Sequence, residues 1–285
     1  MHSPKLSIIV NHFNPNSNSR LETMCILALE IYKDYTTLEH EVILSDGSGL
    51  FSDALDKKCK DLGYTYLPSQ EKMSFSESYN QGLRVCKGEY ISLCANDIFI
   101  CPGWDVRLIQ ELTRTNAWMA QPYLTSSDYP CQNFDYPYKR KTYNTSAMTF
   151  NLNIMTRECL EKVGLLSNDF SGCYNDSDYL IRIRNLGRHV ITVDAGRITH
   201  LGKATTSTAG SSFVAFEEDM IKFKNIYPLY SKTVGLAWHD VTNPIFSNSI
   251  IFRKSIKFVD GLSNGKLRER LLHVIYRLEP ILHGI

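Results

Sequence analysis

The chain has 285 residues, of which 43% are hydrophobic and 21% are charged. This composition is ordinary for a globular protein, so a fibre, a disulfide-stapled miniprotein and a mostly disordered chain are excluded. Thirty-one Lys and Arg residues against 30 Asp and Glu residues give a net charge of +1. The molecule as a whole therefore does not attract nucleic acid, and a polyanion would have to be held by a local patch.

The cysteines and the N-terminal residues indicate the compartment. Eight cysteines occur without a Cys-x-x-Cys pair, so we expect reduced, mostly buried thiols and neither a zinc nor a redox motif. The apolar stretch Leu6–Val10 is too short for the core of a signal peptide. No run approaches the roughly 18 apolar residues of a membrane span. We expect a cytoplasmic protein, with any membrane contact peripheral, on the inner face.

Strands and helices alternate in the first hundred residues. This order predicts an α/β fold with a parallel sheet, whose ligands bind beyond the carboxyl ends of the strands. The pattern predicts strands at Leu6–Val10, Glu41–Ser45, Tyr64–Leu67 and Tyr90–Cys94, and helices at Arg20–Lys33, at Leu55–Leu62, and from a capping box at Ser74–Glu77 to about Val85.

The second half of the chain is less regular. A loop rich in Pro, Tyr and mixed charges is predicted from Tyr123 to Tyr143, where the aromatic rings either stack on a sugar or pack. From residue 228 onward the alternation lapses, which predicts a mainly helical C-terminal extension. The intervening pattern predicts strands at Ala147–Leu152 and His189–Val193, and helices at Arg157–Val163, Asp176–Leu186 and Phe213–Ile226.

Three polar residues that follow predicted strands are candidates for chemistry: Asp46, Asp97 and His200. Taken alone, each has an ordinary structural explanation. Asp-Gly-Ser is common in turns, a lone acid can cap a turn, and a histidine can simply satisfy its hydrogen bonds within the protein. Their order and spacing along the chain are more informative than any one of them.

Several short motifs follow one another along the chain in a definite order. They are Leu6–Val10 with Phe13–Asn14, Val42–Ser48, Asn80–Gly82, Gly88–Ile91, Asn96–Asp97, Pro102–Trp104, Glu161–Gly164, Asn175–Gly187 and His200. This order resembles that of the family 2 glycosyltransferases. The resemblance covers about residues 5–205 and implies a GT-A fold, which is Rossmann-like, with a mostly parallel sheet flanked by helices. We expect a catalytic domain at 1–205 and a C-terminal helical extension at 206–285.

The resemblance implies a nucleotide-diphosphate sugar as donor, with Mn²⁺ or Mg²⁺ as cofactor. Asp97 and His200 would hold the metal ion, which favours carboxylate oxygen and bridges phosphates. Lys203 would close over the same phosphates. The residues that the resemblance assigns to the nucleotide sugar are Phe13, Asn14, Asp46, Asn80, Asn96 and Lys203.

Two positions depart from the family pattern, because Ala95 replaces the first acid of the Asp-x-Asp motif and Asn175 replaces an acid before the catalytic one. Asp97 remains, so we expect metal binding to persist. Two residues apart at a helix start, Asp176 and Asp178 cannot point the same way. We expect Asn175 to cap the helix, Asp178 to interact with its dipole, and Asp176 to be the general base.

The tail from Ile251 to Ile285 holds seven Lys and Arg residues against three Asp and Glu residues. Within it the pattern predicts a basic amphipathic helix from Leu267 to Leu278. Such a helix can dock on anionic lipid beside a lipid-linked acceptor. It can also pack on the catalytic domain or on a second subunit in a homo-oligomer, which is the more ordinary use of such a pattern.

The resemblance thus implies an inverting, metal-dependent transferase that moves a sugar to a glycan hydroxyl, in a surface polysaccharide or its lipid-linked precursor. Transfer to a modified base of DNA, as in some viral glycosyltransferases, is an alternative; the near-zero net charge argues against it, although the basic tail could contact phosphates. A sugar- or nucleotide-binding module without turnover is a third reading, which Ala95 and Asn175 permit.

Overall fold

The computed structural model describes residues 4–127, 132–137, 139–145, 148–202 and 213–227, with short pieces between 254 and 278. Among these residues no helix is long and apolar enough to cross a bilayer. The strands are β1 Leu6–His12, β2 His40–Asp46, β3 Thr65–Pro68, β4 Tyr90–Ala95, β5 Ile98–Phe99, β6 Met119–Leu124, β7 Thr142–Asn144, β8 Leu152–Thr156 and β9 Val190–His200. The helices are α1 Ser19–Tyr35, α2 Asp53–Leu62, α3 Phe75–Leu83, α4 Trp104–Thr115, α5 Arg157–Val163, α6 Asn175–Asn185 and α7 Phe213–Ile226.

The strands form one sheet in the order β3-β2-β1-β4-β8-β6-β9-β5, with β7 also paired to β9. The first four run parallel, as do β6 and β9. Strand β8 runs antiparallel to both its neighbours, and β5 and β7 run antiparallel to β9. The predicted α/β fold is confirmed, with the parallel arrangement concentrated in the first half of the chain.

Helices cover both faces of the sheet because side chains of a strand alternate between its faces. On one face, Ile8 and Val10 of β1 pack in a core shared with α1, α2 and α4. On the other face, Ile9 packs in a second core shared with α3, α5 and α6. This two-sided burial is why β1 reads as a continuous apolar run in the sequence.

Local signals fix several element boundaries. The predicted capping box is present, because Ser74 Oγ accepts from the Glu77 N–H at 3.3 Å and Glu77 Oε2 accepts from the Ser74 N–H at 2.9 Å. Gly187 has the left-handed φ of 72° that ends helix α6.

Tyr123, Tyr136 and Tyr143 of the predicted loop are buried, so these three rings pack and do not face a sugar.

Two predictions for the middle of the chain are wrong or incomplete. The strand expected at Ala147–Leu152 lies instead at Leu152–Thr156, because buried Met148 and Phe150 mimic a strand pattern while packing from a loop. No element is predicted between Cys94 and Tyr123, where the structure has β5, α4 and the start of β6. Helix α4 begins at a left-handed Gly103 without a side-chain cap, so it lacks the usual polar start signal.

The described cysteines behave as the sequence predicts. All seven are free, and five are buried. Burial raises the pKa of the Cys94 and Cys159 thiols to about 12. These two thiols are therefore protonated at neutral pH and act as small apolar side chains.

Glu111 is a buried acid that fastens α4 to β7. Its Oε2 accepts from Arg114 Nη2 at 2.7 Å and from Thr142 Oγ1 at 2.5 Å, and Lys141 Nζ lies 3.2 Å from Oε1. Burial acts to raise the pKa of Glu111, but the hydrogen bonds from Arg114, Thr142 and Lys141 outweigh it and hold the pKa at about 2. The carboxyl group thus binds a proton more weakly in the folded protein than an ordinary Glu carboxyl group, whose pKa is 4.5.

The stability of the fold should depend on this acid at low pH. A lowered folded pKa contributes stability that is fully present above pH 4.5 and is lost as the pH falls toward about 2. We expect Glu111→Gln to flatten the pH dependence of the unfolding free energy in that window, measured by urea unfolding at several pH values. The control Glu158→Gln removes a side chain that is 54% exposed; equal pH slopes for the two variants would contradict the assignment.

Candidate active site

The ends of three neighbouring strands bring the candidate residues to one edge of the sheet. In the parallel register His12 of β1 lies opposite Asp46 of β2, and Asn11 lies opposite Ala95 of β4. Asn96 and Asp97 follow directly, in the turn after β4. The carboxyl ends of adjacent parallel strands form the crevice where open α/β sheets bind ligands.

A cleft of about 310 Å³ opens at the ends of β1 and β2. Asp46 lies in it and is 2% exposed. Its Oδ1 accepts from the Ser48 N–H at 3.0 Å and from the Ser48 hydroxyl, and its Oδ2 accepts from the Tyr66 hydroxyl at 2.9 Å. A carboxylate offers about four acceptor positions, so Asp46 retains capacity for a ligand donor. The cleft is lined by His12, Asn14, Ser17, Glu22, Asp46, Ser48, Leu50, Phe51, Ser52, Asp53 and Ala54.

His12 is a part of this cleft that sequence reasoning missed. Burial lowers its pKa, although Asp46 and Glu22 act to raise it, so the imidazole is neutral at pH 7. The Asn96 amide lies 2.8 Å from His12 Nδ1; because an amide nitrogen only donates, Nδ1 accepts and the proton is on Nε2. Asn96 therefore connects the cleft to Asp97. The sequence signal that could have identified His12 is its position at the carboxyl end of a strand. It was missed because the predicted strand ended at Val10, whereas β1 ends at His12.

Phe13 and Asn14 lie in the loop after β1, as the sequence predicts. Phe13 is half-buried, whereas Asn14 is 7% exposed. The side chain of Asn14 donates to the Asn18 carbonyl at 3.0 Å and accepts from the Asn18 N–H at 2.8 Å, and its own N–H donates to Ser48 Oγ at 2.7 Å. Asn14 thus holds the shape of the loop and ties it to the loop after β2.

The structure brings Asp97 and His200 together. Strands β5 and β9 pair with Ile98 opposite His200, and this register sets His200 Nε2 3.7 Å from Asp97 Oδ2. His200 Nδ1 lies 2.9 Å from the Ser126 carbonyl. A carbonyl only accepts, so Nδ1 donates its proton to it, and Nε2 is the nitrogen that faces the carboxylate. With Nε2 deprotonated, as metal binding requires, the pair would offer one nitrogen and one carboxylate oxygen to a cation.

The two side chains fit a divalent metal ion. A carboxylate suits Mg²⁺ and Mn²⁺, an imidazole suits transition metals, and a ligating histidine typically donates its other N–H to a carbonyl, as His200 does here. In the described part of the chain no group of three or more His, Cys, Asp or Glu residues could hold a metal. The remaining ligands would come from phosphates and water, as is usual for Mg²⁺.

The contribution of His200 can be measured directly. We expect His200→Ala to weaken Mn²⁺-dependent binding of a nucleoside diphosphate at least about tenfold, because loss of a metal ligand or of its hydrogen-bonded partner commonly lowers metal affinity by that much. Calorimetric titration measures it. His40→Ala is a matched control, since its Nδ1 also bonds a carbonyl, that of Leu38, at the opposite end of the sheet. If His200→Ala binds the nucleotide and Mn²⁺ with unchanged affinity, His200 is not a metal ligand and has only a structural role.

Asp176 lies half-buried in the first turn of α6, and its Oδ1 accepts from the Ser177 N–H at 2.8 Å. The predicted N-cap role of Asn175 is wrong: Tyr174, with φ 60°, precedes the helix, and Asn175 is its first residue. Asn175 Oδ1 accepts from Ser76 Oγ at 2.5 Å. Because α3 starts at the carboxyl edge of the sheet, this bond places the start of α6 at the same edge as the cleft.

Asp178 has a different environment from Asp176. It is 4% exposed, and its Oδ2 accepts from Arg182 Nε at 2.9 Å. Its Oδ1 accepts from the Tyr227 hydroxyl at 2.5 Å. Asp178 lies in the first turn of α6, where an acid interacts favourably with the helix dipole as predicted, and it also makes an ion pair along the helix and a bond to the segment after α7. The two acids point in different directions, as predicted.

The Asn80–Gly82 motif has a structural explanation. Asn80 donates to the Leu166 carbonyl at 2.9 Å and accepts from the Leu166 N–H at 2.9 Å, and a Cβ at Gly82 would lie 2.5 Å from Ile9 Cγ2. The Asn80 side chain is committed to this loop, so its predicted contact with the nucleotide sugar gains no support. Lys203 lies outside the described residues.

Comparisons with known proteins agree with this geometry. The sequence model described as "Glycosyl transferase family 2" matches residues 7–164, more than half of the chain. A search of curated proteins finds no match. The structure of GalNAc-T7 with UDP, GalNAc and Mn²⁺ aligns with a TM-score of 0.59 at 13% identity, over 95% of this chain and 55% of that chain. Mannosyltransferase PcManGT from Pyrobaculum calidifontis, in complex with GDP-Man and Mn²⁺, aligns with a TM-score of 0.56 at 15% identity, over 98% of this chain and 86% of that chain.

These matches differ in what they establish. The family match confirms the resemblance that the motif order predicts. At 13% and 15% identity the structural likeness shows the fold alone, and it confirms the predicted GT-A fold. The chain spans about half the length of GalNAc-T7. The family match ends at Gly164, so Asp176 and His200 lie beyond it and are supported by their geometry.

Proposed function

Because the chain belongs to glycosyl transferase family 2, we propose that it transfers one sugar from a nucleotide-diphosphate sugar to a hydroxyl acceptor with the help of Mn²⁺ or Mg²⁺. The observation that carries this proposal is the facing pair of Asp97 and His200 beside the cleft. Among the described residues that line the cleft, Glu22, Asp46 and Asp53 are acidic and none is Lys or Arg. It therefore suits a neutral, donor-rich group such as a base and ribose, and the phosphates are left to the metal pair.

We assign a separate role to each candidate residue at the carboxyl edge of the sheet. Asp46 accepts hydrogen bonds from the nucleoside. Asn14 lines the same cleft, Phe13 lies beside Asn14 in the loop after β1, and Asn96 links the cleft to Asp97. Asp97 and His200 hold the metal ion, which when bound neutralises the charge of the departing diphosphate. This support for a charged leaving group is commonly the largest contribution to catalysis.

Asp176 takes the acceptor proton. As the acceptor oxygen forms its bond to the anomeric carbon, the bond from that carbon to the phosphate oxygen breaks, and the hydroxyl proton passes to the Asp176 carboxylate. Attack from the face opposite the leaving group inverts the configuration. The half-buried position of Asp176 at the active edge supports this role, whereas Asp178 is committed to Arg182 and Tyr227.

A screen of donors tests the proposal. We expect Mn²⁺ with one class of UDP- or GDP-sugar to raise the melting temperature, because a ligand that binds only the folded state stabilises it. The same donor should be hydrolysed slowly to the nucleoside diphosphate, and a chelator should stop both effects. Stabilisation without any hydrolysis or transfer would instead support the noncatalytic binding module that Ala95 and Asn175 permit.

We further propose a glycan or lipid-linked glycan as the acceptor, in preference to DNA. The net charge of +1 gives no general attraction to a polyanion. In the described part of the tail, Leu267 and Leu278 of the predicted apolar face are 47% and 39% exposed, whereas Ile275 of the same face is 9% exposed. Leu272 and Tyr276 lie outside the described residues. Exposed apolar residues on a basic helix suit the surface of an anionic membrane, where such an acceptor would lie.

Deletion of residues 264–285 tests the tail. We expect binding to phosphatidylcholine vesicles containing about one-third phosphatidylglycerol to fall at least about tenfold, since each basic residue near such a surface is worth about 1 kcal/mol. Donor hydrolysis should persist. Vesicles of phosphatidylcholine alone are the control for charge. Insoluble protein, or unchanged vesicle binding, would instead indicate packing against the domain or a second subunit.

A further inference from the structure

Helix α7 carries a buried acid that holds the loop before α6. Asp219 is 0% exposed, and its Oδ2 accepts from the backbone N–H groups of Ser171, Gly172 and Cys173 at 3.1, 2.9 and 2.9 Å. Its Oδ1 accepts from the Ser171 N–H at 3.0 Å. Backbone donors that converge on one carboxylate make charge-assisted bonds, which are shorter and stronger than bonds between neutral groups.

The residue that follows this loop needs such support. Tyr174 has φ 60° and ψ 2° and gives α6 no side-chain cap. A left-handed conformation is unfavourable for a residue other than glycine and persists only where the surrounding structure enforces it. The Tyr174 ring stacks on Phe223 of α7, with centroids 4.9 Å apart and an interplanar angle of 28°. Two contacts from the same helix therefore hold the entry to α6.

A third contact lies on the other side of Asp176. Tyr227, directly after α7, donates its hydroxyl to Asp178 Oδ1 at 2.5 Å. The segment 213–227 thus holds residues 171–174 before Asp176 and residue 178 after it. Asp176 is the acid between these fixed points.

We propose that Asp219 is a positioning residue that acts through Asp176, which makes α7 a working part of the catalytic centre. This inference rests on the proposed role of Asp176 as the base. Positioned bases act within hydrogen-bond reach of the proton that they remove, and a displacement of about 1 Å can cost about a hundredfold in rate. By fixing the left-handed entry to α6, Asp219 sets where the Asp176 carboxylate meets the acceptor hydroxyl.

The variant Asp219→Asn tests the inference. It keeps the size of the side chain but presents an amide N–H to backbone N–H groups, so the loop should shift. With the Mn²⁺-dependent UDP- or GDP-sugar that the protein hydrolyses, we expect kcat for nucleoside diphosphate release to fall at least about tenfold while KM changes less than about twofold. Glu218→Gln, an exposed neighbour on α7, is the matched control and should leave both constants unchanged.

A double-mutant cycle separates positioning from mere stabilisation. If Asp219 acts through Asp176, Asp219→Asn should add no further loss of kcat to Asp176→Asn, because residues that act as a unit are not additive. Assays are made well below the melting temperature of every variant. Additive losses, a parallel rise in KM, or unchanged kcat in folded Asp219→Asn would each overturn the inference. If Asp176→Asn itself has no effect on kcat, the assignment of Asp176 as the base is wrong, and so is the positioning role of Asp219.

Discussion

Replacing Asp97 with alanine should abolish turnover and metal-dependent donor binding while the protein stays folded. In the proposed site Asp97, which faces His200, would supply the carboxylate oxygen that a hard metal ion prefers. A bound metal ion stabilises developing charge by several kcal/mol, and each 1.4 kcal/mol or so is worth a factor of ten in rate. We therefore expect a loss of about 10³-fold or more, measured as nucleoside diphosphate release with saturating Mn²⁺.

A matched variant keeps this result specific. Asp61→Ala removes an exposed acid of α2 and should retain both activity and metal-dependent binding. Full activity of the unaltered protein in the presence of a chelator would show that the pair does not work through a metal ion. Retained activity in Asp97→Ala would exclude Asp97 as an essential ligand.

Replacing Asp176 with asparagine should leave donor binding intact and lower transfer about 10²-fold or more, the usual worth of a positioned base. The amide keeps the size of the carboxylate and can still accept from the Ser177 N–H, but it cannot take a proton. The measurement is transfer or hydrolysis rate beside calorimetric affinity for the nucleotide with Mn²⁺. Equal loss of affinity and rate would indicate a binding role instead.

Asp178→Asn is the natural comparison. It breaks the ion pair with Arg182 but still accepts from the Tyr227 hydroxyl, so we expect it to lower the free energy of unfolding by about 1–3 kcal/mol with little effect on kcat. If Asp178→Asn stops transfer and Asp176→Asn does not, the two assignments are reversed. If neither variant alters the rate, the base is another residue or the chain does not catalyse transfer.

Elements with an unambiguous pattern were predictable from the sequence. Leu6–Val10 lies within β1, and the predicted bounds of α5 and α7 are those observed, since the apolar residues of these segments have a clear spacing. Helix α4 was not predictable in the same way, because its start depends on a left-handed glycine. The shifted β8 shows that buried loop residues such as Met148 can imitate a strand.

The residues of the candidate site were likewise only partly predictable from the sequence. Asp46 and Asp97 follow strands with clear patterns, so their shared edge could be predicted. The proximity of His200 to Asp97 depends on β5, which has only two residues and too little sequence for a periodic signal. The contribution of α7 depends on tertiary contacts between Asp219 and backbone groups, and side-chain-to-backbone contacts across separate elements leave no mark in the local sequence.

The register of β5 against β9 also has a consequence for folding. Asp97 and His200 stand roughly a hundred residues apart, so bringing them together closes a long loop whose entropic cost must be met first. The unfolded chain therefore does not contain the pair, which forms only when β5 pairs with β9, a strand far from it in the sequence. Mn²⁺ should then bind the folded chain selectively, and its affinity becomes a probe of whether the last strands have docked.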